Sequence, residues 1–92
     1  MIRYTPEARA DVDRLYAWRL VYSADLAERF LQLLAQTEAR IAARPLLFPV
    51  SAAGEARKCL MRLGRHVYVL HYVIDGDDQV IMRIWHGREN RV

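Results

Sequence analysis

The chain has 92 residues, 53% of them hydrophobic and 27% charged, which supplies apolar surface for one core and is too short for two. It reads as a single domain over residues 1–92, and the same composition excludes a disordered tail, a collagen-like repeat and a coiled coil. The net charge of +3 rests on thirteen arginines and a single lysine, Lys58, a set suited to planar, two-point contact with carboxylate or phosphate and equally a product of base composition.

The opening Met1-Ile2-Arg3-Tyr4-Thr5-Pro6 has no apolar run after its first charge, so neither a signal peptide nor a membrane anchor is expected there. No later stretch approaches the roughly 20 apolar residues of a bilayer span. The lone Cys59 cannot close an intrachain disulfide. A cytoplasmic protein is the expectation. Ile2 to Tyr4 make a short candidate strand. Thr5-Pro6-Glu7 then opens a helix, with Thr5 as cap, Pro6 at the first helical position and Glu7 at the positive end of the dipole. This helix is expected to run to about Val21, burying Ala8, Val12, Leu15, Trp18 and Tyr22 and turning Arg9, Asp13 and Arg19 outward.

Ser23 caps a second helix with Asp25 in its first turn, and Ala27, Phe30, Leu34, Thr37 and Ile41 recur at helical spacing until Pro45 stops it near Arg44. With almost nothing between them, the two helices must form an antiparallel hairpin. Leu46 to Ala56 is irregular. From Arg57 onward the period changes to two, giving strands at Arg57 to Leu63, Val67 to Ile74 and Gln79 to His86, with turns at Gly64-Arg65 and Asp75-Gly76-Asp77-Asp78. The layout is α+β: a short N-terminal strand, a two-helix antiparallel hairpin, then a three-stranded antiparallel β-meander, with the helices packed on one sheet face.

Alternation splits each strand into two sets. Assuming a three-residue connection at Gly64 to His66, the helix-covered set is Cys59, Met61, Leu63, Val67, Val69, Val73, Val80, Met82 and Ile84. The open set is then Lys58, Leu60, Arg62, Tyr68, Leu70, Tyr72, Ile81, Arg83 and Trp85. A two-residue turn is disfavoured on the argument that it moves Arg62 into the core. Such a mixture of arginine and rings suits a phosphate backbone, an unstacked base or the apolar segment of a partner.

At the carboxy end, Arg83-Ile84-Trp85-His86-Gly87-Arg88-Glu89-Asn90-Arg91 places one histidine among three arginines. His86 suits proton transfer near neutral pH, or serves as a satisfied structural histidine at the core edge; Arg88 and Arg91 suit phosphate contact, or are solvated charge. His66, His71 and His86 lack metal spacing and Cys59 lacks a companion, so no metal site and no cofactor are expected. The Asp75, Asp77, Asp78 group fits a polar turn better than a calcium loop. Glu7 and Asp11, one helical turn apart, fit a solvated helix face better than a catalytic pair. No phosphate loop and no motif for a covalent nucleophile occur.

These residues resemble the ParE branch of the RelE/ParE toxins of bacterial type II toxin–antitoxin modules, over almost the whole chain. The likeness rests on the opening strand, Ala8-Asp11-Leu15, the helix closing at Arg44-Pro45, Arg57, Tyr68 and Tyr72, and Arg83 with His86-Gly87-Arg88. It implies a toxin neutralised by a cognate antitoxin. ParE-type members inhibit DNA gyrase and block replication, whereas RelE-type members cut messenger RNA on the ribosome. No tyrosine follows Tyr72 here, and Val69 stands where the ribonucleases tend to carry arginine; both departures favour binding of gyrase, or of a gyrase–DNA complex, over cleavage. The expected target-binding residues are Arg57, Arg62, Tyr68, Tyr72, Arg83, Trp85, His86 and Arg88. In the ribonuclease alternative His86, Arg62, Arg83 and Arg88 are the catalytic set, and a plain basic interaction module is a further alternative. No membrane or small-molecule substrate is implied.

Overall fold

Thr5 ties the first helix to the sheet. In the computed structural model, which describes residues 1–52 and 54–89, its hydroxyl accepts from the Ala8 N–H at 3.0 Å and donates to the Met82 carbonyl at 2.9 Å. One side chain thus caps α1 (Pro6–Tyr22) and fixes it to the last strand. Ser23 serves two helices at once. Its extended backbone ends α1 by donating to the Arg19 carbonyl, while its hydroxyl accepts from Asp25 and Leu26 to start α2 (Ala24–Ala43). With no residue beyond this shared cap, the helices fold back as a hairpin.

The α2 stripe of Ala27, Phe30, Leu34, Thr37 and Ile41 is buried as the spacing predicts. On α1 the buried line is instead Ala8, Asp11, Leu15 and Arg19. Trp18 and Tyr22, expected inside, are 37% and 68% exposed, and Arg19, expected outside, is 3% exposed. Asp11 likewise leaves the solvated face assigned to it. The apolar count misplaced the stripe because two charged side chains have interior partners that no hydropathy pattern records.

The sheet has the order β1-β4-β3-β2: β1 (Ile2–Tyr4) lies parallel to β4 (Asp78–His86), and β2 (Arg57–Leu63) and β3 (His66–Asp75) complete an antiparallel meander. Both hairpin turns hold two residues, Gly64-Arg65 and Gly76-Asp77, and Gly64 and Gly76 stand at φ +59° and +60°, where a side chain is strained.

That two-residue turn at Gly64-Arg65 corrects the assignment of faces. Leu63 pairs with His66, Met61 with Tyr68, Cys59 with Leu70 and Arg57 with Tyr72, so β3 flips relative to the expected register. Arg62 stays outside, because the turn reverses β3 and not β2. Tyr68 and Tyr72, expected on the open face, are fully buried beneath the helices, against Phe30 and Phe48 respectively. In β4, Ile81 pairs with Tyr72 and Arg83 with His71, leaving Met82 as one extra residue. The bulge brings both Ile81 and Ile84 into the core. The face that no described helix covers therefore carries Lys58, Leu60, Arg62, Val67, Val69, His71, Val73, Val80 and, as expected, Trp85, a largely aliphatic surface with one ring pair and a basic rim.

Candidate functional site

Asp11 joins α1 to the carboxy end. Its carboxylate, 1% exposed, accepts from Arg83 Nε at 2.7 Å, Arg83 Nη2 at 3.1 Å, Arg14 Nη1 at 2.6 Å and the Ile84 N–H at 2.8 Å. Burial alone pushes its pKa up, but these hydrogen bonds outweigh it and hold the group below the usual carboxylate range. Beyond β1, the outer side of β4 has no strand partner among the described residues, and Asp11 takes up the Ile84 amide there. Arg14 also pairs with Glu89, which accepts from the His86 N–H at 2.7 Å. The residues after β4 are thereby fixed against α1. Arg83 is committed to this network.

Beside it opens a cleft of about 330 Å³ lined by Trp18, Arg19, Tyr22, Leu26, His66, His86 and Arg88. The end of α1, the start of α2, the start of β3 and the end of β4 supply these residues. His66 Nδ1 lies 3.1 Å from His86 Nε2, Arg19 Nη1 lies 3.2 Å from His66 Nε2, and the Arg88 N–H donates to His86 Nδ1 at 3.1 Å. Trp18 and Tyr68 stand edge-on to the His86 ring at 5.2 Å each. Desolvation, and then the charges around them, push the pKa of both histidines below the ordinary imidazole value; for His86 the positive neighbours include His66 and Arg19.

The protons in this chain do not balance. Arginine and a backbone amide only donate, so His66 Nε2 and His86 Nδ1 must both accept. Each neutral ring then carries its proton on the nitrogen facing the other ring, and two N–H groups meet at 3.1 Å. Protonating either ring adds a further donor. The cleft lacks one acceptor. Arg19 compounds the deficit: its guanidinium rests over Trp18 at 4.4 Å and Tyr22 at 5.6 Å, its Nε is buried with no hydrogen-bond partner, and no carboxylate among the described residues pairs with it. The Tyr68 hydroxyl behind His86 is likewise buried with no partner among the described residues.

The expected site residues do not converge. His86 and Arg88 border the cleft, with His86 only 3% exposed. Arg62 lies on the outermost strand beside Arg29, Gln32 and Gln36 of α2. Arg57 donates to the Phe48 carbonyl at 2.7 Å and orders the loop before β2. Tyr72 donates to the Pro45 carbonyl at 2.5 Å, and Trp85 packs on His71 at 4.6 Å on the uncovered face. Arg91 falls outside the described residues. Sequence reasoning missed Trp18, Arg19, Tyr22 and Leu26 altogether, and took His66 only as a metal candidate. The available signal was Trp18-Arg19 one turn before a tight helix hairpin, which places a cation and rings together at its tip. No group of three metal-ligating side chains occurs among the described residues, and no described helix is long and apolar enough to cross a membrane.

The family model described as ParE toxin of type II toxin-antitoxin system, parDE, matches residues 2–91. A solved structure described as the chromosomal ParDE TA system from P. aeruginosa has the same fold, with a TM-score of 0.73, 20% identity and 92% of each chain covered. No protein of curated function matches the sequence.

Proposed function

Starting from the premise that this chain belongs to the ParE toxin family of parDE type II toxin–antitoxin systems, we propose that it arrests growth by binding DNA gyrase, alone or with its DNA, and that a cognate antitoxin neutralises it by covering its surface. The observation that carries this reading is that the four side chains expected to cleave RNA do not converge: only His86 and Arg88 share the cleft, while Arg62 and Arg83 are held elsewhere. A 2′-hydroxyl attack requires a base, an acid and a cation within hydrogen-bond reach of one phosphate. His86 is buried with both ring nitrogens engaged, Arg83 is held by Asp11, and Arg62 lies two strands from His86 at the sheet's far edge. Tyr68 and Tyr72 are enclosed. A protein built to dock tolerates that dispersal.

Two surfaces are suited to the target: the aliphatic face around Leu60 with Lys58 and Arg62, and the carboxy end with Arg88 beside the cleft. The test is gyrase supercoiling with increasing purified protein, run beside primer extension on ribosome-bound message. Lost supercoiling with intact message is expected. Cut message with normal supercoiling establishes the ribonuclease instead. Arg88→Ala, at an exposed position, is expected to weaken growth arrest on expression while leaving the thermal midpoint unchanged; a large fall in the midpoint assigns Arg88 a structural role.

A further inference from the structure

The unbalanced cleft calls for an acceptor that the described chain does not provide. A buried cation with no counter-charge is unfavourable, and so is a buried donor without an acceptor. Both penalties fall on the same few side chains, Arg19 and the His66–His86 pair. The walls are of a different character. Trp18, Tyr22 and Leu26 line them, and Leu20 and Val21, exposed by 47% and 80%, continue the apolar surface along the hairpin tip. Arg88 stands at the rim. One planar anion set in an apolar surround matches this arrangement, since it brings a negative charge to the buried Arg19 guanidinium, with Arg88 at the rim, and lets its carrier's apolar groups meet the rings.

We propose that this cleft binds one carboxylate side chain of a protein partner, presented on an apolar segment, with Arg19 and Arg88 as its cations and Trp18, Tyr22 and Leu26 holding the flanking residues. The inference rests on the reading of this protein as one that binds other proteins. On binding, a ring N–H now aimed at its neighbour gains the carboxylate as acceptor after a small ring rotation, and the Arg19 charge is compensated. The charged and titratable groups that face the two rings are Arg19 of α1, Arg65 of the β2–β3 turn, Tyr68 of β3, and Arg88 and Glu89 after β4. The incoming carboxylate adds to Glu89 as a second negative group near them, so both imidazoles hold their protons to higher pH in the complex.

The probes are an acetylated and amidated pentapeptide with glutamate between leucine and alanine, its glutamine counterpart, and uridine monophosphate. Each is titrated into the full chain while the His66 and His86 ring resonances are followed. The glutamate peptide is expected to shift both rings, raise both titration midpoints and bind at least about tenfold tighter than the glutamine peptide. Arg19→Met is expected to abolish that preference. Should that variant fail to fold, Arg88→Ala at the rim, which leaves the interior intact, is expected to reduce the preference at least about threefold. Equal binding of the two peptides, no ring shift up to about 10 mM peptide, or tighter binding of the nucleotide overturns the proposal. None of these readings involves gyrase, so failure here leaves the supercoiling result standing, and the reverse.

Discussion

Tyr68 and Tyr72 have the same exposure and opposite hydroxyl chemistry, which separates two effects that burial alone would merge. The Tyr72 hydroxyl donates to the Pro45 carbonyl; that of Tyr68 has no partner among the described residues. Tyr72→Phe is expected to destabilise by about 1–2 kcal/mol, whereas Tyr68→Phe changes stability by less than about 0.5 kcal/mol or improves it, both read by urea denaturation. Acid gives a second test at this scale. The folded-state pKa of His66 and His86 lies below the ordinary imidazole value, so the unfolded chain binds protons first. Stability is therefore full above about pH 6.5 and falls as pH drops from there toward the lowered folded values. Asp11 and Glu89, also held below their ordinary range, contribute stability above that range and lose it as pH falls through their folded values. The unfolding midpoint should thus decline in two stages, and a His66→Gln/His86→Gln double variant should lack the first. Single residues were the least legible scale in the sequence. Hydropathy assigned Arg19 to solvent and Trp18 to the core, and the reverse holds: the Arg19 guanidinium lies over the rings of Trp18 and Tyr22 and reaches His66, a contact 47 residues away that no local pattern records.

Elements were read more faithfully, since their signals are local. The two caps, the helix lengths and the positions of β2, β3 and β4 follow from Thr5, Ser23, Pro45 and a change of period at Arg57, and the structure reproduces them to within a residue or two. Register was not local in that sense. It turned on whether Gly64-Arg65 closes a two-residue loop, and on the extra Met82 in β4; either detail exchanges the faces of a strand. Ser23 offers the prediction proper to this scale. Because its hydroxyl accepts two amides of α2, Ser23→Ala is expected to cost about 1 kcal/mol, whereas Ser23→Asp retains the cap and nearly all of the stability in thermal unfolding.

For the molecule as a whole, both helices lie on one side of the sheet, and the other side holds Leu60, 42% exposed, among Val67, Val69 and Val73 with Lys58 and Arg62 beside them. Leu60→Glu is expected to weaken gyrase inhibition at least about tenfold while changing unfolding free energy by less than about 1 kcal/mol; undiminished inhibition removes this face from the target contact. The pairing of β1 with β4 reaches further. Met1 accepts from the Gln79 amide, Thr5 donates to Ile81, and Ile2 to Tyr4 run beside Gln79 to Ile81, so the strand translated earliest waits for the one translated latest. Until β4 and the residues just after it clear the exit tunnel, a nascent chain has neither a closed sheet nor His86 and Arg88 at the cleft. Harmful shape is therefore withheld until β4 has been made and arrives with it, so any safeguard that recognises this fold meets only molecules whose sheet has already closed.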